Sequence, residues 1–143
     1  MKDSPKRFES IQRLADKKQK DAAARFGRER RERDEAQQRL EELRLYRQEY
    51  LQRYSDAANE GAHALRLRDY QVFIDKLECA IAEQERILEQ HQMQCNQAKR
   101  NWSNEYTHSR AIGNVVERKR EDAQRKKARQ EQRVQDDRSP RKR

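Results

Sequence analysis

The chain has 143 residues, 32% of them hydrophobic and 43% charged, and a net charge of +9. So little apolar material excludes a compact globular core, and on that ground alone a disordered chain would be expected. Two further features redirect the reading to long helices: Ala, Glu, Lys, Leu and Arg make up about half of the residues, and the apolar positions repeat every 3.5 residues, which a disordered chain does not sustain.

Helix one is expected over about 5–58. Ser4 supplies a capping hydroxyl and Pro5 suits the first helical position. Phe8, Ile11 and Ala15 open its apolar stripe, and Ala22, Phe26, Ala36, Leu40, Leu43, Tyr50 and Tyr54 continue it. From Arg28 to Glu35 no side chain is apolar, the stripes on either side fit slightly different registers, and Gly27 adjoins the gap. A stutter or a loosened patch is expected there.

A turn follows at about 59–64. Asn59-Glu60-Gly61 carries it, because glycine accepts a positive φ at a helix C-terminus. Helix two is expected over about 65–136, followed by a basic tail at 137–143, with Arg138-Ser139-Pro140 closing the helix. Its seam alternates steps of four and three: Tyr70, Ile74, Leu77, Ile81, Gln84, Leu88, His91, Cys95, Ala98, Trp102, Glu105, Ser109, Ile112 and Val116. Polar residues thicken in it after Leu88, and Gly113 is a place for a bend. The whole chain reads as one unit of all-α class, an antiparallel two-helix coiled coil in the form of a long hairpin.

Folding about Gly61 makes residues face each other when their numbers add to roughly 124. Leu43 then meets Ile81, Tyr50 meets Ile74, Phe26 meets Ala98, and the single tryptophan, Trp102, falls opposite Ala22. Both basic ends come to the same side: residues 1–35 carry net +4 and 117–143 net +6, against −1 for 36–116. A second stripe, Phe73, Ala80 and Ile87, lies one position before the seam in successive heptads. A two-helix hairpin needs only one stripe. The second is either a wide seam shielded by residues such as Leu45 or Leu51, or a docking site. Tyr46, Tyr50, Tyr54 and Tyr70 gather around the turn, packed over it with hydroxyls in water.

Catalytic chemistry is not expected. Three glycines leave no phosphate-binding loop, and a helical hairpin offers no pocket that excludes water. His91 and Cys95 stand four apart, a metal-ligand spacing, but they are only two ligands and read as small seam fillers; no metal and no cofactor are called for. The uncharged runs are far shorter than the ~20 apolar residues of a membrane span, and no signal peptide opens the chain. Cys79 and Cys95, about 24 Å apart along one helix, cannot bridge, which fits a reduced, cytoplasmic protein. The basic run Arg118-Lys119-Arg120, Arg125-Lys126-Lys127, Arg129, Arg133 and Arg141-Lys142-Arg143 is interleaved with acids and lacks aromatics. It suits a solvated tail, a basic end that enters an acidic protein cavity, or a nucleic-acid binder.

The pattern Tyr46-x-x-Glu49-Tyr50, a Gly61 turn, then Tyr70-Gln71-x-Phe73-Ile74-x-x-Leu77-Glu78-x-Ala80-Ile81-x-x-Gln84 resembles the FliJ family of the bacterial flagellar type III export apparatus. The match covers about 40 residues around the turn. It implies a non-enzymatic hairpin similar to the central stalk of rotary ATPases. The implied partners are the hexameric export ATPase, the large membrane protein of the export gate and export chaperones, at the cytoplasmic face of the inner membrane. No small-molecule substrate is implied. The family's gate-binding patch falls on Phe73, Leu77, Ala80 and Gln84, with Ile87 continuing the stripe; Gln84 departs from the histidine of enterobacterial members. The end that enters the ATPase ring falls on Arg7, Ile11, Arg118, Arg120, Arg125 and Lys126. Other readings are a basic coiled coil that binds nucleic acid, and the equivalent stalk of a virulence secretion system.

Overall fold

The computed structural model describes residues 5–138. Ser4, Ser139, Pro140 and the Arg141-Lys142-Arg143 tail lie outside the described residues, and with them the expected start cap and helix stop. Two helices account for nearly everything: α1, Pro5–Asn59, and α2, Ala64–Arg138, with no strand among the described residues. The chain is an all-α antiparallel helical hairpin. No proline interrupts either helix after Pro5, so the intrahelical hydrogen-bond ladders run unbroken. No described helix is long and apolar enough to cross a membrane.

The turn is built from backbone geometry. Gly61 has φ of 75°, the one positive φ of the described residues. The Ala62 amide donates to the Ala57 carbonyl at 2.9 Å, and the Gly61 amide donates to the Ala58 carbonyl at 3.2 Å. This pair of bonds is a Schellman motif, which closes the last carbonyls of α1 and needs a left-handed residue at the glycine. Ala57 is buried beneath it. At the start of α2 the His63 imidazole takes the role usually given to Ser or Asp: its Nδ1 accepts from the Leu65 amide at 3.3 Å.

Cα packing divides the hairpin into two compact units, one of Ala24–Lys99 and one of residues 5–23 with 100–138. The turn unit holds the larger core: Ala36, Leu40, Ala57, Ile74, Leu77, Ile81, Cys95 and Ala98 are all buried. Of these, Leu40, Ile74, Leu77 and Ile81 each contribute about 1.5–3 kcal/mol, the alanines much less. Cross-helix partners such as Gln84 with Ala36, Gln71 with Tyr54 and Tyr50 with Phe73 follow the register expected from a fold about Gly61. In the terminal unit Ala15, Ala22 and Val116 form the core. There the Ser109 hydroxyl donates to the Asp16 carboxylate, and the Arg120 guanidinium reaches Glu9 Oε1 at 2.7 Å and 3.0 Å.

The polar run Arg28–Glu35, where a stutter or a loosened patch is expected, leaves the helix itself unbroken. α1 is continuous through Gly27 and through that polar run, and polar contacts cross to α2 there. Arg33 Nη1 lies 3.6 Å from Cys95 Sγ, and His91 Nδ1 lies 3.7 Å from Glu32 Oε2. α2 is likewise unbroken at Gly113.

Candidate functional site

In the turn unit the second stripe is present as a partly exposed ridge on α2. Phe73 is 40% exposed, and Ala80 and Ile87 are half-buried. Their spacing of seven keeps them on one face of the helix. The residue that lies on Phe73 is Tyr50, with ring centroids 4.4 Å apart and planes tilted by 43°. Leu45 and Leu51 do not shield the stripe: they are 60% and 46% exposed and line a separate shallow groove with Glu41, Arg44, Arg47 and Gln48. Seam residue Tyr50 points between the helices, whereas Leu45 and Leu51 stand on the outside of α1.

The other two residues assigned to this patch are engaged inside the hairpin. Leu77 is a core residue, 8% exposed. Gln84 is half-buried, and its Nε2 donates to the Ala36 carbonyl at 3.1 Å. A partner approaching this face therefore meets Phe73 first, then Ala80 and Ile87. The tyrosines frame the ridge: Tyr70 packs 6.3 Å from Tyr50, the Arg53 guanidinium sits 4.8 Å over the Tyr50 ring, and Gln71 donates to the Tyr54 hydroxyl at 3.0 Å. Tyr46 is the exposed member. Beside Ile87, Arg86 donates two hydrogen bonds to Glu83, the shorter 2.6 Å. Those bonds, reinforced by the opposite charge, hold the Glu83 carboxyl below its ordinary range and push the Arg86 guanidinium above its own.

In the terminal unit the residues assigned to the ATPase contact lie on the surface. Ile11 is 41% exposed, and Arg7, Arg118, Arg120, Arg125 and Lys126 are all exposed. Lys119 folds over the Phe8 ring at 5.6 Å. Arg120 is held by Glu9, and Arg125 lies at 4.0 Å and 3.9 Å from Glu121 and Asp122. Every residue from 120 to 138 is exposed, Arg120 included although it is tied to Glu9 of α1. This stretch presents charges of both signs, basic in excess, and no aromatic side chain.

A third cluster escaped the sequence reading. Glu29, Glu32 and His91 bring their ligand atoms within 4.8 Å of one another. An apolar-pattern reading passes over such a layer, because it registers Arg28–Glu35 only as a gap. The fold about Gly61 is the signal that could have found it, since it places His91 opposite residue 33. Cys95, the other half of the expected pair, is a buried seam residue beneath the Arg33 guanidinium.

The described residues offer helix faces and shallow grooves. Over residues 4–142 the chain matches the family model described as Flagellar FliJ protein. No curated protein matches it.

Proposed function

Because the chain belongs to the FliJ family of flagellar proteins, and is thereby a component of flagellar type III protein export, we propose that it connects two other parts of that machinery. The terminal unit binds the hexameric export ATPase, with Arg7, Ile11, Arg118, Arg120, Arg125 and Lys126 at the contact. The turn unit binds the cytoplasmic part of the export gate through Phe73, Ala80 and Ile87, with Leu77 and Gln84 setting the shape of that face from within. Both helices pass through both units, so a load on one is carried along continuous backbone to the other. Export chaperones are further cargo of the same protein, which works at the cytoplasmic face of the inner membrane and catalyses nothing itself.

The observation that carries this reading is the ridge. An aromatic ring left 40% exposed, in line with two further apolar side chains on a chain this polar, is what a docking surface requires. The charged stretch from 121 to 138, exposed throughout, supports the ATPase contact, since opposite charge on a partner would steer it.

Truncation after Asp122 tests the ATPase end. It keeps the Arg120–Glu9 pair and removes only exposed helix. Stimulation of the purified ATPase by the truncated chain should fall steeply while the melting profile of the hairpin is retained. Full stimulation by the truncated chain would show that the ATPase contact lies elsewhere.

A further inference from the structure

The polar layer of the turn unit has no part in either docking surface, and it carries a chemistry of its own. Glu29 and Glu32 are three apart on α1, which puts both carboxylates on one face, and His91 reaches them from α2. Two of the donor atoms, Glu29 Oε2 and His91 Nδ1, are shielded from water and have no hydrogen-bond partner. Leaving such atoms shielded and unpaired is unfavourable, more so for a carboxylate. The gap of 3.7 Å between His91 Nδ1 and Glu32 Oε2 is too long for a hydrogen bond. The neighbouring cation does not fill the need: Arg33 directs Nη1 at Cys95 and its Nε and Nη2 at Asp34.

We propose that Glu29, Glu32 and His91 bind one divalent first-row transition ion, of the Zn2+, Co2+ or Ni2+ class. An imidazole nitrogen with two carboxylates favours these ions over Mg2+ and Ca2+, which prefer all-oxygen sites. Ligands at about 2.0–2.2 Å from a common ion lie roughly 3–4 Å apart, so atoms that now lie within 4.8 Å of one another need to draw together by about 1–2 Å at most. The Glu32 side chain is 55% exposed, which gives the ion a path in and leaves water to complete its coordination. Two ligands from α1 and one from α2 make the ion a clamp across the longest run of α1 without an apolar side chain, Arg28–Glu35.

The full chain, stripped with chelator, is titrated with Zn2+ and with Co2+ and followed by calorimetry, absorption and thermal melting. One ion per chain is expected. At a free concentration 100-fold above Kd the melting temperature should rise by about 5–10 °C and return on chelation. Co2+ should give ligand-field absorption without a thiolate charge-transfer band. His91→Gln should abolish the rise. Glu29→Gln should weaken binding at least tenfold, and it serves as the second arm should His91→Gln fold poorly. His63→Gln, His108→Gln and Cys95→Ser should bind as the parent chain does. The proposal is overturned by an absent rise in the parent chain, by a rise that survives both His91→Gln and Glu29→Gln, or by one lost in His63→Gln, His108→Gln or Cys95→Ser.

Discussion

Truncating Phe73 and truncating Leu77 should have opposite balances of effect on the hairpin and on its gate partner. Phe73 is 40% exposed and Leu77 8%. With about 200 Å² of surface on a phenylalanine, Phe73 leaves roughly 80 Å² for a partner to cover; at ~25 cal/mol per Å² that is ~2 kcal/mol, or roughly 30-fold in Kd. Leu77 leaves only about 15 Å², ~0.4 kcal/mol, or roughly twofold. Inside the hairpin the order reverses. Leu77→Ala empties a core position and should cost about 2–5 kcal/mol, whereas Phe73→Ala gives up a tilted ring contact with Tyr50 worth ~0.5–1.5 kcal/mol and the partial cover that goes with it. The assay is calorimetric binding to the purified cytoplasmic domain of the gate protein, well below both melting transitions, with circular dichroism to establish the folded fraction. A folded Leu77→Ala chain that loses as much affinity as Phe73→Ala, or a Phe73→Ala chain that stays within twofold of the parent, would refute the assignment of the ridge as the contact.

The remaining expectations concern the frame that holds these surfaces. Gly61→Ala meets no steric obstacle, but it forces an L-residue to φ of 75°; stability should fall by about 1–2 kcal/mol, read as a lower melting temperature, with Gly61→Asn intermediate. Gly27→Ala should do the reverse and raise stability by up to about 1 kcal/mol, since it lies inside α1 with nothing within 4 Å of an added Cβ; a drop in melting temperature would mean that the polar stretch beside it tolerates no stiffening. Arg86→Gln should return the Glu83 titration, followed by NMR, upward to the ordinary carboxylate range. Because the folded-state value is the depressed one, the pair's contribution is present above the unfolded value and is lost as pH falls through the folded one. Both side chains are more than half exposed, so the melting temperature at neutral pH should hardly move.

The hairpin itself was open to reading from residues. A sustained 3.5 period and the absence of prolines between Pro5 and Pro140 leave few alternatives to paired helices, and Asn59-Glu60-Gly61 holds the one positive φ among the described residues. Pattern failed where side chains do something outside their usual role. His63 caps α2 through its ring nitrogen, and histidine is not a residue that marks helix starts. Tyr50, and not Leu45 or Leu51, lies on Phe73, because which neighbour covers a ridge depends on the rotation of both helices and not on hydrophobicity. Leu77 and Gln84, which the family resemblance puts on the patch, are seam positions by spacing and are spent within the hairpin, one in the core and one on the Ala36 carbonyl. The apparent gap at Arg28–Glu35 arose from counting apolar residues alone; Glu29, Glu32, Arg33, His91 and Cys95 fill it with charge and hydrogen-bonding capacity.

Among the described residues, five of the eleven buried apolar ones are alanines: Ala15, Ala22, Ala36, Ala57 and Ala98. A methyl group withdraws far less surface from water than a leucine side chain does, so the two helices adhere only modestly. Anything that grips the native chain adds RT ln(1 + [L]/Kd) to its stability, about 2.7 kcal/mol at a hundredfold excess over Kd, an amount comparable to one of the larger seam residues. The free chain should then be the form that proteases consume, and its abundance in the cell should follow the supply of its binding partners.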